Sequence, residues 1–428
     1  MTSVSVVLLI GIVLAIAVAG NKFFAITRLP NPLILMVMGI CLGPILHWIS
    51  VPNLDRVTAH VGTLALLLIL FEGGLELELD RIVASLIKAA SLGLLTFFFS
   101  FLLVAIVGLG FGLPVFQAAM LGLVLGGASP SILLTVLSSM GLDDESTTLF
   151  TLDCTISELL CVISVLVAIQ IHASAHHIHG WALAGQVVEH ILLSMMAAFA
   201  AGLAWGRISN WMSGVPLSYM LTLSVICLLY STVHYAGGDG GVTVLFFGAV
   251  LANAHVVANF LRRLTERFTR LAVWFDSSQF VSDELLVKFN VELSFLIRTF
   301  FFFLLGMMCD FKKWSVHSLV LIGGMLAAIL AARWLAATLV RDFFGKKIPS
   351  LSVMAQFFVR GGSNGTMALL AIQAGLFDPD PSSQFNQMIL SIIFGVILTS
   401  NLAMAVSLQF HRGSSAPDPI LGPGEPTI

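Results

Sequence analysis

The sequence predicts an all-α polytopic membrane protein with about thirteen transmembrane helices. Hydrophobic residues occupy 58% of the 428 positions and charged residues only 10%, a balance that soluble domains of this size do not show. The hydrophobic residues are gathered in long runs, and about 20 apolar residues suffice to cross a bilayer as a helix. The predicted spans are 3–19, 31–49, 58–77, 85–111, 114–140, 146–172, 182–205, 216–236, 241–257, 292–309, 315–340, 350–375 and 386–409.

Polar segments divide the chain into two membrane halves, 1–257 and 291–410. Residues 258–290 form the one long polar connection, in which several arginines precede a short apolar stretch. We expect this connection to lie as an amphipathic segment on the cytoplasmic surface. The tail 411–428 is rich in Pro and Gly, so it is predicted to be disordered.

The distribution of Lys and Arg predicts an N-terminus outside and a C-terminus in the cytoplasm. With thirteen spans in that orientation, three of the 20 basic residues lie deep within spans, three fall in outer loops and the remaining fourteen, including Lys88 at the start of its span, fall on the cytoplasmic side. Such an excess is the positive-inside pattern. We therefore expect an integral protein of a bacterial inner (plasma) membrane.

Two other features exclude further classes of protein. The charges sit in short loops and form no basic face, so no nucleic-acid partner is predicted. The five cysteines lie in or at the ends of apolar runs without the spacing of a disulfide framework, so buried, reduced thiols are expected.

The sixth span carries the most unusual residues, Asp153 and Glu158. A carboxylate at the middle of a bilayer costs about 2.5 to 3.5 kcal/mol, so an intramembrane acid indicates a functional site. At 100° per residue, Glu158 shares one face of the helix with Thr151, Cys154, Thr155 and Cys161, whereas Asp153 points about 140° away. The two acids are therefore predicted to have different partners.

The fifth and twelfth spans contain residues that interrupt helices. Pro130 follows two glycines in the segment 126–131, and the segment 360–365 contains three glycines. Interruptions at corresponding positions of two halves are typical of transporter binding sites, and an offset of seven helices predicts repeats that are inverted in the membrane. The crossed half-helices are expected to direct their dipole ends at the site. Candidate polar residues at this crossing are Ser129, Ser131 and Asn364, and Pro130, Arg360 and Gly361 mark the interruptions.

Arg360 has more than one interpretation from the sequence. It neutralises the C-terminal dipoles of the broken helices or pairs with an acid. A surface arginine that extends to the membrane boundary is less favoured, because the residues before it are apolar.

Several motifs in a fixed order resemble the monovalent cation/proton antiporters, in the branch of NhaP-like and animal-type sodium/proton exchangers. They are Phe71-Glu72-Gly73-Gly74-Leu75 on the third span, Tyr235 with Gly237-Gly238-Asp239-Gly240-Gly241 and the following 247–253, the aromatic-rich 300–306, and Arg360-Gly361-Gly362. The resemblance covers nearly the whole chain. It implies an NhaA-like antiporter fold with two interrupted crossing helices, a homodimer, and a core bundle that moves against a dimerisation bundle.

The resemblance also assigns roles on the sixth span. The family pattern Glu-Ser-x-x-Asn-Asp reads Asp153-Cys154-Thr155-Ile156-Ser157-Glu158 here. It implies that Glu158 binds the transported ion beside Cys154 and Ser157, and that Asp153 forms a structural ion pair with Arg298.

The chain departs from the family pattern in ways that bear on the cation. The family's Thr-Asp-Pro reads Ala128-Ser129-Pro130, its Ser reads Cys154, and its Asn reads Ser157. Hard cations prefer oxygen ligands over sulfur. The departures therefore favour potassium, a mixed specificity or no cation at all over strict sodium selectivity.

The expected mechanism is competition between a proton and a monovalent cation, Na⁺ or K⁺, for Glu158. Burial disfavours the charged carboxylate, whereas a bound cation favours it. If the site changes sides only when neutralised, this competition gives coupled exchange without ATP, a cofactor, a resident metal or an enzymatic step. A single exchanging acid predicts electroneutral 1:1 antiport and a role in pH homeostasis. Glu72 is either a second ligand at the mouth of the cavity or a charge at a helix end.

Two other functional classes stay open at this point. One is a channel or anion symporter on a related inverted-repeat fold. The other is a sensor that has lost transport, which the altered cation ligands suggest.

Overall fold

The predicted helices form in the computed structural model, which describes residues 3–27, 31–49, 54–75, 86–130, 132–133, 137, 142–174, 181–211, 218–254, 256–257, 284–308, 315–345, 349, 351–381 and 383–410. All regular structure in these ranges is helical. The helices are α1 (Ser3–Thr27), α2 (Asn31–Ile40), α3 (Leu54–Leu75), α4 (Leu86–Gly110), α5 (Val115–Val124), α6 (Asp144–Ser174), α7 (Trp181–Trp211), α8 (Ser218–Tyr235), α9 (Gly240–Ala252), α10 (Glu284–Met308), α11 (Val316–Phe344), α12 (Leu351–Met354), α13 (Gly362–Gln373) and α14 (Gln384–Phe410).

The fourteen helices account for the thirteen predicted spans, since α12 and α13 are the two parts of the twelfth span and each other helix belongs to one span. The all-helical fold class is confirmed. Five of the helices in the described part of the chain are by themselves long and apolar enough to cross a membrane. They are Ile87–Gly110, Glu145–His172, Val188–Ile208, Val316–Phe344 and Gln384–Ser407. Most of the predicted connection, 258–283, and the tail 411–428 lie outside the described residues.

The fifth span breaks where its sequence disfavours a helix. The helix α5 ends at Val124, and the chain is helical again from Pro130. Gly126 and Gly127 are poor helix formers. Pro130 is the first helical residue after the break, a position where its missing N–H costs nothing.

The twelfth span breaks in the same way. The short helix α12 ends at Met354 and α13 begins at Gly362. Gly361, the residue before α13, has no side chain that could cap the helix. Its backbone N–H donates a hydrogen bond to Asn364 Oδ1 in the first turn of α13 at 2.8 Å. The two predicted interruptions are therefore present as irregular segments inside membrane spans.

The helices form two bundles, each of which takes helices from both halves of the chain. The core bundle comprises α4, α5, α6, α11, α12, α13 and α14, with α4 packed against α11, α5 and α6. The scaffold bundle comprises α1, α2, α3, α7, α8, α9 and α10, in which α3 packs on α9 and α2 on α10. The main contact between the bundles is that of α13 with α3.

Two close backbone crossings in the scaffold bundle reveal its internal symmetry. A Cβ atom added to Gly39 of α2 would lie 2.2 Å from the Phe303 carbonyl oxygen on α10. A Cβ atom added to Gly74 of α3 would lie 2.2 Å from the Leu245 carbonyl oxygen on α9. An offset of seven helices relates α2 to α9 and α3 to α10, so these crossings are equivalent. Their equivalence agrees with the predicted inverted repeat.

Candidate ion-binding site

The two irregular segments cross at the centre of the core bundle. The Ser129 N–H donates to the Val359 carbonyl at 3.0 Å, which joins one break to the other. A Cβ atom added to Gly361 would lie 2.2 Å from Ser129 Oγ. A side chain at position 361 would collide with Ser129, which explains why Gly361 follows Arg360 at this point.

The helix α6 passes directly against this crossing. A Cβ atom added to Gly127 would lie 2.7 Å from Cys161 Cβ and 3.0 Å from Glu158 Cα. The absence of a side chain at Gly127 therefore lets the backbone of the broken fifth span rest on α6 at the level of Glu158.

Glu158 is buried, with 8% of its surface exposed, and lies beside the first turn of α13. The Ser363 hydroxyl donates a hydrogen bond to Glu158 Oε1. The start of a helix carries a partial positive charge, which favours an ionised carboxylate at this position. Ser363 was not among the predicted site residues, although it directly follows the predicted Arg360-Gly361-Gly362 segment.

Asn364 satisfies the backbone of both breaks. Its Nδ2 donates to the carbonyl oxygens of Val124 at 2.8 Å and Gly127 at 3.1 Å, and its Oδ1 accepts from Gly361 N–H at 2.8 Å. An unsatisfied backbone group away from water is costly, so this single amide stabilises the crossing. The sequence predicted Asn364 as polar lining, and its contacts are those of a cap for the broken helices.

Ser157 has a related role on α6. Its hydroxyl accepts from Ala128 N–H at 3.2 Å and donates to the Cys154 carbonyl at 2.9 Å. The Cys154 side chain is buried on the same helix. Ser157 thus supports the break of the fifth span with one of its lone pairs, while its hydroxyl hydrogen is bonded within α6.

The same arrangement recurs at the second break. Ser400 Oγ on α14 accepts from Arg360 N–H at 3.3 Å, and Asn401 Nδ2 donates to the Arg360 carbonyl at 2.9 Å. Ser157 on α6 and Ser400 on α14 therefore perform equivalent functions in the two repeats. Pro130 begins the helix after the first break, whereas Ser131 lies outside the described residues.

The predicted ion pair of Asp153 with Arg298 is wrong. Asp153 instead pairs with Arg333 of α11, with Oδ2 and Nη2 2.6 Å apart and both side chains completely buried. Arg333 also donates to Thr96 Oγ1 on α4 at 3.0 Å and to the Met354 carbonyl at the end of α12 at 2.8 Å. The physical reason is the packing, because α6 and α11 both pack on α4 inside the core bundle, whereas α10 belongs to the scaffold bundle.

Arg298 pairs with Glu72 within the scaffold bundle. Arg298 Nη1 lies 3.3 Å from Glu72 Oε2, and each side chain is about one-fifth exposed. The pair joins α10 to α3, the helix that contacts α13 of the core bundle. Glu72 therefore has a cationic partner inside the protein.

Arg360 is completely buried, which excludes the interpretation as a surface arginine. Its Nη2 donates to Ser100 Oγ on α4 at 3.0 Å. Its Nε and Nη1 have no hydrogen-bond partner among the residues that the structure describes. The two buried arginines of the core bundle thus bind hydroxyls one turn apart on α4, Thr96 for Arg333 and Ser100 for Arg360.

Comparison with known proteins agrees with this architecture. The family model described as "Sodium/hydrogen exchanger, transmembrane" matches residues 11–410. A structure of the sodium proton antiporter MjNhaP1 from Methanocaldococcus jannaschii at pH 8 is 16% identical, with a TM-score of 0.73 over 96% of this chain and 98% of that one. An electron-microscopy structure of the same antiporter is 18% identical, with a TM-score of 0.68 over 97% and 100%. No curated protein matches the chain by sequence. The chain therefore belongs to the sodium/hydrogen exchanger family of membrane transporters, whose activity is cation/proton antiport and not enzymatic catalysis.

Proposed function

We propose that the protein is a secondary-active monovalent cation/proton antiporter in which the proton and the cation bind in turn to Glu158. The observation that carries this proposal is the position of Glu158 at the crossing of two interrupted helices. Asp153 and Glu72 are each ion-paired with an arginine on a neighbouring helix, and Glu158 accepts a hydrogen bond from the Ser363 hydroxyl at the start of α13.

Competition at one carboxylate couples the two fluxes. Desolvation disfavours an ionised Glu158. Movement of an empty, charged site between the two sides of the membrane therefore costs free energy. Either a proton or a monovalent cation removes that charge. If one carboxylate carries the exchange, one proton moves against one cation and the cycle is electroneutral.

The cation is Na⁺ or K⁺ in this proposal. The chain lacks the acidic residue that its relatives have in the fifth span, where it has Ser129, and it has Cys154 in place of a serine. Fewer oxygen ligands weaken discrimination among hard monovalent cations. We assign Glu72 to the stability of the scaffold bundle, because its carboxylate is already paired with Arg298.

The division into two bundles supports a movement of the core bundle against the scaffold bundle. Their main contact is that of α13 with α3, so this contact is expected to change when the bundles shift. In the same proposal the protein is a homodimer in a bacterial plasma membrane, with its N-terminus outside, and it contributes to pH homeostasis.

Reconstitution tests this function. Purified protein is reconstituted in liposomes that contain a pH dye. Addition of Na⁺, K⁺ or Li⁺ outside is expected to change the pH inside the liposomes. An imposed membrane potential is expected to leave the rate of that change unaltered. Glu158→Gln is expected to abolish the exchange, whereas Glu145→Gln on the exposed end of α6 keeps it. A current that needs no cation would instead identify a channel, and a silent wild type in every cation would identify a sensor.

A further inference from the structure

We propose that Ser363 is a direct ligand of the transported cation, so that the cation binds between Glu158 of α6 and the first turn of α13. This inference rests on the proposed antiport at Glu158 and specifies the site at which it occurs. It adds a ligand from α13 to the residues that the sequence predicted for this site.

The first argument is the state of the Ser363 hydroxyl. Ser363 is 1% exposed, and its hydrogen bond to Glu158 Oε1 is the one its side chain makes within the described part of the chain. A hydroxyl has one hydrogen and two lone pairs. Because the hydrogen is given to Glu158, both lone pairs of the Ser363 oxygen stay available. When a cation arrives, rotation of the O–H bond turns those lone pairs toward it beside the carboxylate.

The second argument is that the competing ligands on α6 are poorly suited. The Ser157 hydroxyl is used twice to hold the backbone at Ala128 and Cys154. Cys154 and Cys161 offer sulfur, which hard monovalent cations bind weakly. By contrast, the Ser363 side-chain oxygen is in direct hydrogen-bond contact with the Glu158 carboxylate.

The third argument is the electrostatics of the start of α13. The positive end of this helix favours the ionised form of Glu158, and the ionised form is the one that binds a cation. The same dipole opposes tight binding of the cation. A transporter must release its ion, so a carboxylate, a neutral hydroxyl and an opposing dipole are a suitable combination.

The chain contains a matched control for Ser363. Thr366 lies one turn further along α13 and is also buried, but its hydroxyl donates to the Gly362 carbonyl at 2.7 Å within its own helix. Thr366→Val therefore removes a buried hydroxyl from the same helix without changing the environment of Glu158.

The test measures cation dependence in liposomes and in detergent. Ser363→Ala is expected to raise the half-saturating cation concentration about tenfold while the maximal rate changes little, because one oxygen ligand is lost. Ser363→Thr restores the oxygen and is expected to recover the affinity. Thr366→Val is expected to match the wild type. In detergent, the increase in melting temperature that NaCl or KCl gives over choline chloride is expected to shrink in Ser363→Ala only.

The outcomes separate this inference from the proposed function. If the wild type exchanges and Glu158→Gln does not, but Ser363→Ala keeps the wild-type cation affinity and melting shift, the ligand role of Ser363 is refuted and antiport at Glu158 stands. If the wild type itself exchanges no cation for protons, the proposed function and this inference both fail. If Ser363→Ala and Thr366→Val lose affinity equally, the effect belongs to the packing of α13 and the ligand role is refuted.

Discussion

Arg333 and Asp153 form a completely buried ion pair, with Nη2 and Oδ2 2.6 Å apart. Asp153 lies five residues before Glu158, the proposed ion-binding acid. The pair links α6 to α11, and the other bonds of Arg333 reach α4 and the end of α12. Four segments of the core bundle are thereby held by one guanidinium. Glu158 is thus carried by a helix whose position is fixed by Arg333.

We predict strong coupling between Asp153 and Arg333. Arg333→Gln alone leaves a buried carboxylate uncompensated and is expected to lower stability by about 3 to 5 kcal/mol. Adding Asp153→Asn to that variant is expected to recover much of the loss. Thermal unfolding of the single and double variants in detergent measures the coupling.

The control for this cycle is Arg298. Asp153→Asn combined with Arg298→Gln is expected to be additive, because these residues lie in different bundles. Coupling to Arg298 that equals the coupling to Arg333 would contradict the observed pairing.

Glu72 is predicted to be dispensable for cation binding. Glu72→Gln is expected to change the half-saturating cation concentration by less than about twofold and to cost less than about 1 kcal/mol of stability, since the pair with Arg298 is partly exposed. Flux measured in liposomes over a range of cation concentrations checks this. A tenfold or larger rise would restore Glu72 as a ligand.

The close crossing of α3 and α9 predicts opposite effects at two adjacent glycines. Gly74→Ala would bring Cβ to 2.2 Å from the Leu245 carbonyl oxygen, so it is expected to destabilise by about 1 to 3 kcal/mol. Gly73 has no described atom within 4 Å of an added Cβ, so Gly73→Ala is expected to be neutral or to stabilise by up to about 1 kcal/mol. Melting temperatures in one detergent compare the two. Equal losses would argue against the crossing.

The N-terminal end of α6 predicts a specific dependence on pH. Asp143 accepts hydrogen bonds from the Ser146 hydroxyl at 2.7 Å and the Ser146 N–H at 3.1 Å, and these bonds hold the pKa of the Asp143 carboxyl below its ordinary 3.8. A lowered folded pKa means that the stabilisation is present above 3.8 and is lost as the pH falls through the folded value.

Asp143→Ala is accordingly expected to cost about 1 kcal/mol at neutral pH, as loss of a helix cap does. The difference from wild type is expected to stay constant from pH 7 to about pH 4 and to narrow below that. Melting temperatures between pH 7 and pH 3 check this. Asp143→Asn, which keeps the cap without the charge, serves as the control, and a wild-type advantage that grows in acid would be inconsistent with the assignment.

The sequence predicted the spans well because each is a long apolar run, and it predicted both breaks because glycine and proline act locally. The different directions of the Glu158 and Asp153 side chains were also predictable, because the two residues lie on different faces of the helix. The partner of Asp153 was not, because three arginines lie within spans and only the packing of α4, α6 and α11 selects Arg333. Ser363 was missed although it lies in the predicted interruption 360–365, because its contact with Glu158 joins residues 205 positions apart and only the packing of α13 on α6 brings them together.

The most direct test of the central claim is the half-saturating cation concentration of the wild-type protein in liposomes as a function of pH. If a proton and a cation compete for the same carboxylate, that concentration is expected to rise about tenfold for each unit by which the pH falls below the pKa of the site, while the maximal rate at saturating cation stays constant. A half-saturating concentration that does not change with pH while the maximal rate falls would contradict competition at Glu158 and would place the protons at a different site.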